Sequence, residues 1–457
     1  MTALLAFLVF VLSVLIIFLV PAFISADFAA SYGSVSVLDS SQAVLVCCAI
    51  ASPVALIAAR AHPHDEFLPR LFLAALFVRM LVGAAIFIFN GQSFFGGDAF
   101  TYDNFGYLLV RGWQGDAYAQ LVAQSYANKA GTGWGMIYLV AAVYELIGRN
   151  MLATQLINAV LGAATAPLIF SSAWVVFENI RVARLAAFGV AFMPSLVLWS
   201  AQGLKDGPIM FFLALTILAT LRLGQRFSVK YLAVLLCSLV CILAFRFYVF
   251  YMLVAAIVGT LFIGTQAVTA RNLVRQFVLL LILGVVMTLC GAILGARAHF
   301  ETYGSLQQVQ VSRLDAASTA NSGYAKETDV STAAGAVAAV PLGLINLLLA
   351  PFPWQLGSPR QAITMPEMLL WWSSCPMLVL GFWFSIKYRF RQTLPILIFT
   401  IMLTLAYSVF QGNVGNAYRQ RAQLLIFYFI FASVGYVVLW ERNHRQPSGK
   451  ARRSRTS

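Results

Sequence analysis

The residues Gly96 to Asp103, Gly-Gly-Asp-Ala-Phe-Thr-Tyr-Asp, put two carboxylates just beyond an apolar run in a chain that is 61% hydrophobic and 10% charged. An acidic pair at a membrane surface is a place for chemistry. Asp98, with Asp103 as second choice, could take a proton from an acceptor hydroxyl, bind a divalent ion, or cap the helix that follows. Tyr102, Tyr107, Arg111 and Trp113 follow at spacings suited to a short amphipathic helix lying on the membrane.

Cations recur in sequence positions that the positive-inside rule disfavours. Lys205 lies in Ser-Ala-Gln-Gly-Leu-Lys-Asp-Gly-Pro directly after an apolar stretch, where Asp206 reads as an N-cap and Pro208 as a first-turn residue. Arg246 interrupts the apolar run 231–265, which is too long for one span and suits a tight hairpin. Arg419 and Arg421 enter the last apolar segment from the outer side. Cations gathered on the acidic-loop face point to an anion there, and phosphate is the usual partner; lipid head groups are the alternative. Arg79 sits mid-segment and needs a partner, either Glu145 or a substrate. With Tyr102, Trp354 and Glu367 it is assigned to a substrate groove, where aromatic residues either stack on sugars or anchor at the interface.

The elements that position these residues are membrane helices. The chain has 457 residues and a mean hydropathy of +0.84, with repeated apolar runs of about 20 residues, the length that crosses a bilayer. A soluble globule is excluded. The expected fold is all-α and polytopic, with about 11–13 transmembrane helices in a single domain over 1–440. Within it lie an outer catalytic loop at 91–130, a polar and flexible outer loop at 297–335, and a re-entrant or interfacial segment at 336–366 bounded by prolines. The first 20 residues read as a retained helix. The net charge of +14 comes from short loops and the basic tail at 441–457, so it orients the chain and argues against a nucleic-acid partner. The six cysteines and four histidines lack metal-site spacing, so no metal site and no definite cofactor is assigned, with a divalent cation left open. One parity problem stays open. Either segment 134–147 does not span, or Arg181 and Arg184 face outward.

Several pieces in order resemble the GT-C superfamily of membrane glycosyltransferases, nearest to its protein-O-mannosyltransferase-like and lipid A aminoarabinose transferase-like branches. They are the Gly-Asp-Ala…Tyr-Asp…Leu-Leu-Val-Arg-Gly-Trp loop, Tyr144-Glu-Leu-Ile-Gly-Arg-Asn, Leu156-Ile-Asn-Ala-Val-Leu-Gly, Phe192-Met-Pro-Ser-Leu-Val-Leu-Trp-Ser and Lys205-Asp206, within about residues 70–225. The resemblance implies a polyprenyl-phosphate-linked sugar donor, a glycan, lipid or protein acceptor, and an acidic residue of the first outer loop as base, which maps onto Asp98. Many relatives carry two adjacent acidic residues there; here Ala99 follows Asp98. Lys205, Arg246, Arg419 and Arg421 would hold the donor phosphate. The later Pro-Phe-Pro-Trp and Tyr-Arg-Gln-Arg pieces resemble proteins of bacterial exopolysaccharide clusters. The expectation is an inverting glycosyltransferase of the bacterial inner membrane, with its site outside and its C-terminus in the cytoplasm. Its rivals are an O-antigen-type polymerase or ligase that uses arginines without an aspartate base, and a flippase of lipid-linked sugars.

Overall fold

A computed structural model describes residues 1–24, 35–61, 66–95, 97–130, 133–264, 270–289, 291, 299, 301, 304–319, 322–324, 327–357 and 359–444. Gly96, His62, His64, Cys290, Arg297 and the basic tail beyond His444 lie outside the described residues. In chain order the α-helices are α1 (Thr2–Phe23), α2 (Val37–Ala61), α3 (Phe67–Ile88), α4 (Gly91–Phe95), α5 (Asp98–Trp113), α6 (Ala117–Ala130), α7 (Trp134–Ile147), α8 (Met151–Phe177), α9 (Ile180–Phe192) and α10 (Pro194–Ser200). They continue as α11 (Asp206–Gln225), α12 (Val229–Phe245), α13 (Phe247–Ile263), α14 (Ala270–Leu289), α15 (Leu306–Thr319), α16 (Ala333–Leu349), α17 (Pro359–Tyr388), α18 (Phe390–Phe410) and α19 (Val414–His444).

Among the described residues nine helices are long and apolar enough to cross a membrane, or ten if α9 and α10 form one bent span. The fold is all-α, as expected, but the count falls below 11–13 because α7, α12, α13 and α16 are apolar yet only 14 to 17 residues long. Helix starts follow local chemistry. Asn150 accepts from Ala153 N at 3.1 Å to open α8, and Asn179 accepts from Arg181 N at 3.0 Å to open α9, each filling an orphan donor. The centre of the bundle is α8, α11 and α19, which are mostly buried, while α1, α2, α14 and α17 turn most of their apolar surface outward. Helices α17 and α19 meet backbone to backbone: a Cβ on Gly381 would overlap the Phe431 carbonyl, and one on Gly435 the Met377 carbonyl.

The parity question has a geometric answer. Arg181 lies over the Trp440 ring at 4.1 Å and Arg184 over Phe67 at 5.2 Å, so both share an end of the bundle with the C-terminus of α19 and the start of α3. Both flanks of α7 sit at the opposite end. Gly133 adjoins Lys205, and Asn150 donates to the Asp39 carbonyl at 2.7 Å, at the start of α2. Helix α7, about 21 Å long, therefore enters and leaves on one side without crossing.

The stretch expected to be a plain flexible loop, 297–335, contains α15 and is fastened to the start of α19. Val414 N donates to the Ser322 carbonyl at 3.0 Å, Tyr324 N to the Gly412 carbonyl at 2.9 Å, and Arg313 to the carbonyls of Gln411 and Thr328. Helix α16 packs at its start on Val409 and at its end on Arg421.

Candidate active site at the meeting of four helix ends

Asp98, Lys205, Asp206, Arg246 and Arg419 come from four separate stretches and meet at the end of the bundle opposite Arg181. Asp98 is the first residue of α5. Gly97 holds the cap position at φ 73°, a left-handed conformation that glycine tolerates, and no side chain caps the helix. The Asp98 carboxylate is therefore not spent on capping. It accepts from Arg419 Nη1 at 2.6 Å, with its side chain 48% exposed.

Asp206 is the first residue of α11, and Lys205, not Asp206, holds the cap position. Asp206 is completely buried. Its Oδ2 accepts from Arg419 Nε at 2.7 Å and pairs with Nη2 at 2.6 Å, while Oδ1 lies 3.9 Å from Arg246 Nη2. Arg246 is the single residue separating α12 from α13, so the break foreseen in the run 231–265 delivers one cation. Its Nη1 donates to the Tyr407 hydroxyl at 3.3 Å, which in turn donates to Gln423 Oε1 at 2.9 Å. The Arg419 guanidinium also lies 5.5 Å from the Trp199 ring centre.

Lys205 borders this cluster. Burial, and then the charge of Arg246, pull its ammonium down to about 7. The turn before it is held by Asn158, whose amide donates to the carbonyls of Gln202 at 2.7 Å and Leu204 at 2.6 Å. Tyr102, one turn after Asp98 on the same face, is buried, and burial followed by the Asp98 charge pushes its hydroxyl well up. Three cations thus face two carboxylates in a cluster that is largely buried except at Asp98, an arrangement that can receive one more negative charge.

The other residues singled out from the sequence lie elsewhere. Asp103 is five positions beyond Asp98, about 140° around the helix. It is buried and bound to the Tyr144 hydroxyl at 2.6 Å and to Arg149, an ion pair that raises the Arg149 guanidinium. Arg421 is fully buried and donates to the carbonyls of Leu348 at 3.0 Å and Ala350 at 2.9 Å, closing the end of α16. Trp371 and Trp372 donate to the Leu348 and Leu349 carbonyls at 2.6 and 2.9 Å. Trp354 is exposed and stacks on Phe352, with ring centres 4.9 Å apart.

Arg79 does not pair with Glu145, which is exposed. Helices α9 and α10 meet at 54° because Pro194 has no N–H to give the Val190 carbonyl. Ser195 N, the ordinary partner of the Ala191 carbonyl, donates instead to Glu367 Oε2 at 2.7 Å. Arg79 takes up both freed carbonyls, Ala191 at 2.8 Å and Val190 at 3.3 Å, and donates through Nε to Ser200 Oγ at 2.9 Å. A cation thus closes the C-terminus of α9 and a carboxylate the N-terminus of α10, each favoured by the helix dipole there. The polar atoms of Arg79 and Glu367 are engaged in the break rather than in an open groove.

Sequence reasoning overlooked Asp206 as the hub, along with Tyr407 and Trp199. The available signal was an acid directly beside the one lysine that broke the topology rule. Among the described residues no group of three or more His, Cys, Asp or Glu side chains is placed to hold a metal ion.

The model of the family described as dolichyl-phosphate-mannose-protein mannosyltransferase matches residues 134–292. The match takes in Lys205, Asp206 and Arg246, but starts after Asp98 and ends before Arg419, so it lies further along the chain than the resemblance over 70–225. No curated protein and no solved structure matches the chain. Together with the all-helical membrane fold, the match supports a membrane glycosyltransferase of the GT-C superfamily.

Proposed function

We propose that the protein transfers a sugar from a polyprenyl-phosphate-linked donor to an acceptor hydroxyl at the outer face of the bacterial inner membrane, in cell-envelope or exopolysaccharide assembly. The C-terminus is cytoplasmic in this reading. Asp98 takes the proton of the acceptor hydroxyl, the acceptor oxygen bonds to the anomeric carbon, and the bond from that carbon to the phosphate oxygen breaks. The departing oxygen keeps the electron pair, and its charge falls to Arg246, Arg419 and Lys205. One displacement inverts the anomeric centre. The observation that carries the reading is the convergence of Asp98, Lys205, Arg246 and Arg419, with Arg419 joined to Asp98 at 2.6 Å. Tyr102 lies beside them as a groove residue; Asp103 and Arg421 serve structural pairings.

The test is complementation of a strain lacking the protein, with surface glycan read by mass at equal membrane abundance. Asp98→Asn is expected to lose one defined sugar. The ion pair of Asp98 with Arg419 also favours a second reading, a polymerase or ligase in which Asp98 only orients the arginine. Under that reading Asp98→Asn retains product while Arg246→Ala and Arg419→Ala abolish it.

A further inference from the structure

We propose that Glu367, which lies on α17 away from the charged cluster, is a positioning residue for Arg419, acting through Tyr418 and the short helix α10. The inference rests on the assignment of Arg419 to the donor phosphate. The Glu367 carboxylate is buried and accepts three hydrogen bonds: from Ser195 N at 2.7 Å, from Ser195 Oγ at 2.6 Å and from the Tyr418 hydroxyl at 2.6 Å. These donors belong to two elements that both touch Arg419. Tyr418 precedes Arg419 in α19. Helix α10, whose second residue is Ser195, carries Trp199, whose ring centre lies 5.5 Å from the Arg419 guanidinium and 6.5 Å from that of Tyr418 in an edge contact.

One carboxylate therefore fixes the distance between the helix that bears Arg419 and the ring on which Arg419 rests. Its charge also sits at the N-terminus of α10, where the helix dipole favours it. The opposite end of α10 is held by Arg79 on Ser200 Oγ, so α10 is restrained at both ends and Trp199 has little freedom of its own. A buried carboxylate with three donors aimed at it has no cheap replacement. An apolar side chain leaves those donors unpaired, whereas glutamine keeps the shape and can accept through oxygen while donating to Ser195 Oγ.

The experiment uses full-length protein in detergent, labelled with 5-fluorotryptophan, with the Trp199 fluorine resonance identified by its loss in Trp199→Phe. Binding of geranyl phosphate, a lipid monophosphate, is measured by equilibrium dialysis. Glu367→Leu and Tyr418→Phe are expected to displace the Trp199 resonance and raise the geranyl phosphate Kd about tenfold, and Glu367→Gln to restore most of both. Tyr418→Phe removes a single oxygen and carries the test if Glu367→Leu does not fold. A Trp199 resonance unmoved in Tyr418→Phe, and in Glu367→Leu where that variant folds, overturns the inference, whatever the Kd. A displaced resonance with an unchanged Kd keeps the coupling and overturns instead the assignment of Arg419 to the donor.

Discussion

Asp98 and Asp206 hold the same guanidinium, yet neutralising them should have opposite consequences. Asp206 is completely buried, accepts from Arg419 Nε at 2.7 Å and pairs with its Nη2 at 2.6 Å, with Arg246 at 3.9 Å from its other oxygen. Removing one partner of a buried, hydrogen-bonded ion pair costs about 3–5 kcal/mol, because the remaining cations stay out of water without compensation. Asparagine keeps one acceptor oxygen, so Asp206→Asn should lie near the lower figure, on the order of 5 °C in the midpoint of thermal unfolding in detergent. Asp98 is 48% exposed, and solvent screening reduces its pair with Arg419 to about 1 kcal/mol or less. Its role as base is worth far more, since a positioned carboxylate contributes about 10²–10⁴-fold to proton removal. Asp98→Asn should therefore fold as wild type and retain no more than about one part in a hundred of the transfer rate. The two variants are compared by unfolding midpoint and by mass-detected product from the same membranes. An Asp98→Asn protein as unstable as Asp206→Asn, or one with the wild-type transfer rate, would refute the division of labour.

Other outcomes follow from the same geometry. Lys205 titrates near 10.5 in the unfolded chain and about 7 in the folded one, so its contribution to stability rises with pH between those values. Binding of a lipid phosphate needs the protonated form, so donor KM should climb up to about tenfold per pH unit above 7, and Lys205→Arg should flatten that profile. Arg79→Met leaves the Val190 and Ala191 carbonyls unfilled and should cost several kcal/mol, about 1–3 per orphaned group, while Glu145→Gln changes nothing, both read as unfolding midpoints. Gly435→Leu should drive α17 from α19 and eliminate folded protein, as seen by size-exclusion profile.

How much of this was legible in the sequence depended on whether a residue's meaning was local. Lys205, Arg246 and Arg419 stood out because each breaks a rule that applies to its own neighbourhood, and they do come together. Arg421 breaks the same rule two residues later, but two residues turn a helix by about 200°, so it faces the end of α16 rather than the cluster. Asp103 is separated from Asp98 in the same way. The partners of Arg79 were invisible because they are carbonyls, freed by a proline more than a hundred residues away. Helix α15 was hidden by its polar composition; what fastens the described residues around it is a set of bonds to backbone groups of residues 411–414, and backbone groups carry no sequence signature.

Helix α7 bears on every later assignment of sidedness. If this largely apolar 14-residue helix were counted as a crossing, that single count would exchange inside and outside for all that follows. Because its two flanks lie at one end of the bundle, reporter domains inserted near 132 and near 149 should occupy the same compartment. The placement of Lys205, Arg246 and Arg419 on the same side as Asp98, and so the existence of a shared site, depends on this short helix lying along one end of the bundle rather than passing through.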